Sequence, residues 1–232
     1  MLKGNGVLKR IKVNFSAILM LGAMIISDRA EMLLLYFFSA FLHECGHLLA
    51  ARMLGIGVKE IRFDFSGARI CTEDRLTSYK KEIVLAAAGP LVNFVCVCVS
   101  VVFFLVQGVS LDEVVLLTDS FISGEELSYI GAAGFFAIAA LLQGCLNLLP
   151  VRSFDGGRIL QCALADGFGV RVAERVIDVF SALSALVLWT VALYLLLKIG
   201  SGLGIYVFAA CIAFSVTKRT VDEKENTVIP QE

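Results

Sequence analysis

The sequence predicts an all-α polytopic membrane protein of about six transmembrane helices, with a small β-hairpin between helices 2 and 3. Three observations carry this reading. Hydrophobic residues make up 58% of the 232 residues and charged residues only 18%, against about 45–50% and roughly 25% in a soluble domain. The excess is gathered into six long apolar runs, and a spanning helix needs about 17–25 such residues. Between the second and third runs the chain instead alternates apolar and polar residues, which is the period of a strand.

The runs lie near residues 11–27, 31–54, 82–107, 129–149, 176–197 and 202–216, the first and last being short. Basic residues order them. Lys3, Lys9, Arg10 and Lys12 precede the first run. Arg52, Lys59, Arg62, Arg69, Arg75, Lys80 and Lys81 lie between the second and third, and Arg152, Arg158, Arg171 and Arg175 between the fourth and fifth. Lys218, Arg219 and Lys224 follow the sixth. The opposite side receives only Arg29 and Lys198, and the loop 108–128 holds Asp112, Glu113, Asp119, Glu125 and Glu126 with no base. Positive residues stay in the cytoplasm, so both termini are expected there. Residues 1–216 read as one membrane-embedded domain and 217–232 as a short cytoplasmic tail. A cleaved signal peptide is disfavoured, because Asp28-Arg29-Ala30-Glu31 lacks a small-residue cleavage pattern.

Ile61, Phe63 and Phe65 alternate with Arg62, Asp64 and Ser66, Gly67 turns the chain, and residues 68–72 return. An edge of the strand 61–65 is one candidate for pairing with an extended peptide. The net charge of −1 gives no reason to expect a nucleic-acid partner. The seven cysteines are odd in number, lie mostly in apolar runs and form no CxxC pair, so they read as small buried residues.

Chemistry is concentrated in His43-Glu44-Cys45-Gly46-His47, which contains both histidines of the chain. Positions i and i+4 share a helix face, so the two imidazoles can meet one metal ion. Glu44 is placed to act on water at that ion, as in zinc peptidases. At about 1.5 Å of rise per residue, His43 lies roughly 17 Å into its run. A carboxylate at that depth costs about 2.5–3.5 kcal/mol or more, and a bound cation offsets the cost. Catalytic zinc takes three protein ligands and leaves one position open. Asp155, in the stretch Asn147 to Gly157 after the fourth run, is the candidate third ligand. Pro150 ends the helix before it, and Gly156-Gly157 read as tight-turn residues beside it.

HECGH within a membrane run, Ala88-Gly89-Pro90-Leu91-Val92-Asn93 opening a later one, and Asn147…Pro150…Asp155-Gly156 together resemble the site-2 protease family of intramembrane zinc metalloproteases. The layout is similar to the branch containing the sporulation protease that matures a sigma-factor precursor. The resemblance covers about residues 40–160 and implies His43, His47 and Asp155 as ligands of one Zn2+ and Glu44 as the catalytic base. It also implies that Asn147 contacts substrate or helps hold the site. Implied partners are a membrane-protein substrate, such as an anti-sigma factor or sigma-factor precursor, and a regulatory membrane protein. The implied location is the bacterial cell membrane. Many relatives carry a PDZ or CBS domain, for which these 232 residues leave no room.

Two other classes compete. An inactive scaffold of the same fold would not need Glu44. A transporter would carry mid-membrane charge in corresponding halves, yet the last three runs hold no counterpart of HECGH.

Overall fold

In hydrocarbon, large apolar side chains gain nothing by turning inward, so helix contacts go to small and polar residues. The first helix of the computed structural model, α1 (Ala30–Met53), follows this rule. Ser39, His43, Gly46, His47, Ala50 and Ala51 are buried along one stripe, while Leu34, Phe38, Phe41, Leu49 and Met53 face outward. Glu31 in its first turn and Arg52 in its last complement the helix dipole. The structure describes residues 11–13, 30–56, 58–64, 67–72, 78–125, 127–152 and 154–199.

The second helix, α2 (Tyr79–Gln107), repeats the pattern: Leu85, Ala86, Gly89, Pro90, Asn93 and Ser100 are buried, and Val95, Val99, Val102 and Leu105 are exposed. Pro90 removes one helical hydrogen bond, a loss that membrane helices tolerate where neighbours resatisfy the backbone. Helix α3 (Leu111–Ser123) follows, then α4 (Tyr129–Asn147). With 24, 29 and 19 residues, α1, α2 and α4 are long and apolar enough to cross a membrane.

Contacts divide the chain into two units, Met1–Thr77 with Val84–Asn147, and Ser78–Ile83 with Leu148–Glu232. In the first unit, strands β1 (Ile11–Val13), β2 (Val58–Asp64) and β3 (Gly67–Thr72) form one sheet in the order β1-β2-β3. β2 pairs parallel to β1, with Ile11 opposite Ile61, and antiparallel to β3, with Ile61 opposite Ile70. Glycines bring the helices together: a Cβ on Gly131 would meet the Leu117 carbonyl and lie 2.8 Å from Phe121 Cβ, and one on Gly134 would meet Thr118 Oγ1. The second unit contains α5 (Asp155–Phe168) and α6 (Val170–Ile199). They are separated by Gly169 at φ 85°, a value that favours glycine.

Five expectations change. Residues 111–123, expected as loop, are a helix: Ser110 and Glu113 form a reciprocal capping box, and Gly124 ends it at φ 80°. Asp155-Gly156-Gly157, expected as a turn, is the first turn of α5. Strand β2 cannot offer a peptide a free edge at residues 61–63, because β1 and β3 occupy both sides. Residues 11–13, expected to begin the first span, pair with β2 instead. The helix expected near 176 starts at Val170. The rest of the first expected span, the whole of the sixth and the tail lie outside the described residues.

Candidate metal centre

One turn of α1 separates His43 from His47, and both side chains are buried. Their Nε2 atoms are 3.1 Å apart, with the rings edge-on at 84°. Two nitrogens each about 2.0–2.1 Å from one tetrahedral ion would be about 3.3 Å apart, so the observed separation suits a shared ion. The Nδ1 of His47 donates to the Leu85 carbonyl at 2.8 Å. A carbonyl only accepts, so this bond places the ring proton on Nδ1 and leaves the Nε2 lone pair toward His43.

Gly89 of α2 lies against the same two ring edges. A Cβ there would sit 2.6 Å from His43 Nε2 and closer still to His47 Nε2. Gly46, between the histidines, meets the neighbouring helix in the same way: a Cβ would be 2.6 Å from the Ala88 carbonyl oxygen. The two glycines let α1 and α2 approach closely at the imidazoles. Glu44 is half-buried beside His43 on α1.

A polar cluster lies one turn away. Ser39 Oγ donates to Gln143 Oε1 at 2.8 Å, and Asn93 Nδ2 donates to the same oxygen at 3.4 Å. Ser39 and Asn93 are almost completely buried. Asn147, at the C-terminal end of α4, is half-buried.

In the second unit, Asp155 opens α5 and is half-buried. The turn before it is compact: Val151 N–H donates to the Leu149 carbonyl at 2.7 Å, and Phe154 N–H to the Val151 carbonyl at 2.8 Å. Gly156 and Gly157 have no room for a side chain, since a Cβ would strike the carbonyls of Leu148 and Val151. Arg152 pins this turn to α6. Its N–H donates to Ser181 Oγ at 2.9 Å and its guanidinium to Asp178 at 2.9 Å. One turn into α5, Arg158 pairs with Glu82 at 2.6 Å.

The sequence reading identified the two histidines as partners, and the structure brings them together. It gave no role at the site to Gly89, Ser39, Asn93, Gln143, Arg152 or Asp178. Gly89 and Asn93 stand in the quoted Ala88–Asn93 motif, four residues apart and therefore on one face. Gln143 is one of few polar residues in its run, a signal that was available.

Comparison with known proteins agrees with this architecture. Residues 31–191 match the model of "Peptidase family M50". A zinc metalloprotease of Methanocaldococcus jannaschii is 29% identical over 147 residues, 63% of this chain and 38% of that protein. The chain thus spans well under half the length of that relative. The solved structure of a site-2 protease from Methanocaldococcus jannaschii superposes with a TM-score of 0.62 at 22% identity, covering 96% of this chain and 93% of the other. The fold is that of a site-2 protease, and the chain belongs to peptidase family M50.

Proposed function

We propose that this chain is an intramembrane zinc endopeptidase that cleaves a membrane-embedded protein segment in regulated intramembrane proteolysis. The observation that carries the reading is the buried pair of imidazoles with facing Nε2 atoms 3.1 Å apart, next to a carboxylate on the same helix. His43, His47 and Asp155 hold one zinc ion in this reading. What supports the set is its donor chemistry, two imidazoles and a carboxylate, the His₂-carboxylate type of catalytic zinc site. Family membership and the relative's zinc metalloprotease character support it independently.

Zinc, when bound, lowers the pKa of water toward about 7 and stabilises negative charge on a carbonyl oxygen. The chain's own groups do the rest. Glu44 takes a proton from the attacking water and passes it to the departing amine. The Leu85 carbonyl holds His47 in the tautomer that leaves its Nε2 lone pair for a metal. Helix α5 carries Asp155 in its first turn, where the helix dipole favours the ionised carboxylate. Asn147 contacts substrate or helps hold the site.

The substrate is a transmembrane segment of a protein such as an anti-sigma factor or a sigma-factor precursor. The enzyme is a multi-pass protein of the bacterial cell membrane with both termini cytoplasmic, an orientation that the distribution of basic residues supports. The test compares wild type with Glu44→Gln. Both should bind about one zinc per chain, and only wild type should release fragments from a helical membrane peptide. Equal cleavage by the two proteins overturns the reading.

A further inference from the structure

The geometry points to a binding site for the main chain of an unwound substrate segment, built from Ser39, Asn93 and Gln143, with Gln143 making the contact. This rests on the protease reading above. Three helices deliver one polar group each to the same point: Ser39 from α1, Asn93 from α2 and Gln143 from α4. Both donors converge on Gln143 Oε1. That convergence fixes the plane of the carboxamide and turns its NH₂ away from them. Ser39 and Asn93 are 1% and 0% exposed, whereas Gln143 is only half-buried. Two inaccessible groups therefore orient one accessible amide.

The cluster also has an unfilled valence. Asn93 is fully buried, and its Oδ1 has no hydrogen-bond partner. Buried acceptors nearly always have a donor, so this asparagine is held for its bond to Gln143 at the cost of an unmet acceptor. The NH₂ of the half-buried Gln143, turned away from Ser39 and Asn93, complements the C=O of a peptide unit. A helix unwound for cleavage exposes such units where no water replaces their lost bonds. Amide groups in a span are costly and tend to be functional for the same reason.

The cluster's position gives its register. Ser39 precedes His43 by four residues on α1, and Asn93 follows Gly89 by four on α2. Gln143 therefore lies about 6 Å along the helix axis from the imidazoles. An extended chain advances 3.2–3.4 Å per residue, so Gln143 meets the substrate about two residues from the cleaved bond.

The experiment uses a synthetic transmembrane peptide that wild type cleaves in detergent micelles, with single amide-to-ester replacements scanned along three residues on each side of the cut. An ester is a weaker acceptor and lacks the N–H. In wild type, an ester about two residues from the cut should raise KM about tenfold, the scale of one hydrogen bond. Gln143→Leu should raise KM to a similar extent, keep its zinc content and Tm, and show no further loss with that ester. Retained ester sensitivity in the variant, or an unchanged KM, overturns the inference. If Gln143→Leu lowers Tm or zinc content, Ser39→Ala, which removes one donor on Oε1, is read in its place, and undiminished ester sensitivity there overturns it equally. Absence of any cleavage that Glu44→Gln abolishes would refute the protease reading itself. Cleavage without coupling to residue 143 refutes the subsite alone.

Discussion

The Nε2 atoms of His43 and His47 face each other at 3.1 Å, and the Leu85 carbonyl, 38 residues away, sets which nitrogen of His47 carries the proton. One helix supplies the pair and its neighbour supplies the tautomer. The metal-binding competence of HExxH is therefore a property of α1 and α2 together.

Gly89→Ala tests that dependence. The added methyl would lie 2.6 Å from His43 Nε2, so the rings or the helices must move. Overpacking of this kind costs about 1–3 kcal/mol. We expect zinc affinity, measured by chelator competition, to fall about tenfold or more while the helical circular dichroism persists. Wild-type affinity in the alanine variant would show that the glycine does not shape the centre.

Arg152 and Asp178 form the ion pair that anchors the turn before Asp155, with side chains 7% and 29% exposed. Removing one partner of a mostly buried pair leaves the other charge uncompensated, which costs about 3 kcal/mol; exposure at Asp178 makes that an upper figure. Asp178→Leu should lower Tm markedly. Arg152→Met with Asp178→Leu should recover most of the loss, because the orphaned guanidinium is gone. A double variant less stable than the single would contradict this account.

Glu113 gives a pH dependence with a definite sign. The Ser110 N–H and hydroxyl donate to its carboxylate at 2.8 and 2.9 Å and hold it below the usual carboxylate range. A depressed folded pKa contributes stability above the unfolded value, near 4.3, and loses it as pH falls through the lower folded value. The first turn of α3 should therefore exchange its amides faster, relative to intrinsic rates, as pH drops below about 4. Glu113→Gln should abolish that dependence. An acid response identical in wild type and variant would rule out the cap as its origin.

Several features were readable without coordinates. The apolar runs that became α1, α2 and α4 were visible because a span declares itself by length and composition. The histidine pair was visible because four residues make one helical turn. The helix at 111–123 was also announced, by Ser110 and Glu113 in S-x-x-E spacing, but acidic residues in a connecting stretch hid it. At Asp155-Gly156-Gly157, two glycines suggested a turn; they are small because the carbonyls of Leu148 and Val151 crowd a helix start.

Run length and local periodicity thus established the membrane class, the helices α1, α2 and α4 and the spacing of the imidazoles, all properties of a chain interacting with itself over a few residues. The proton position on His47, the crowding at Gly89, the two occupied edges of β2 and the convergence of Ser39 and Asn93 on Gln143 arose from packing. Ser39 and Gln143 are 104 residues apart, and no short-range period relates such positions. Their meeting follows from how helices with small inward faces come together in a solvent that leaves buried polar groups only one another.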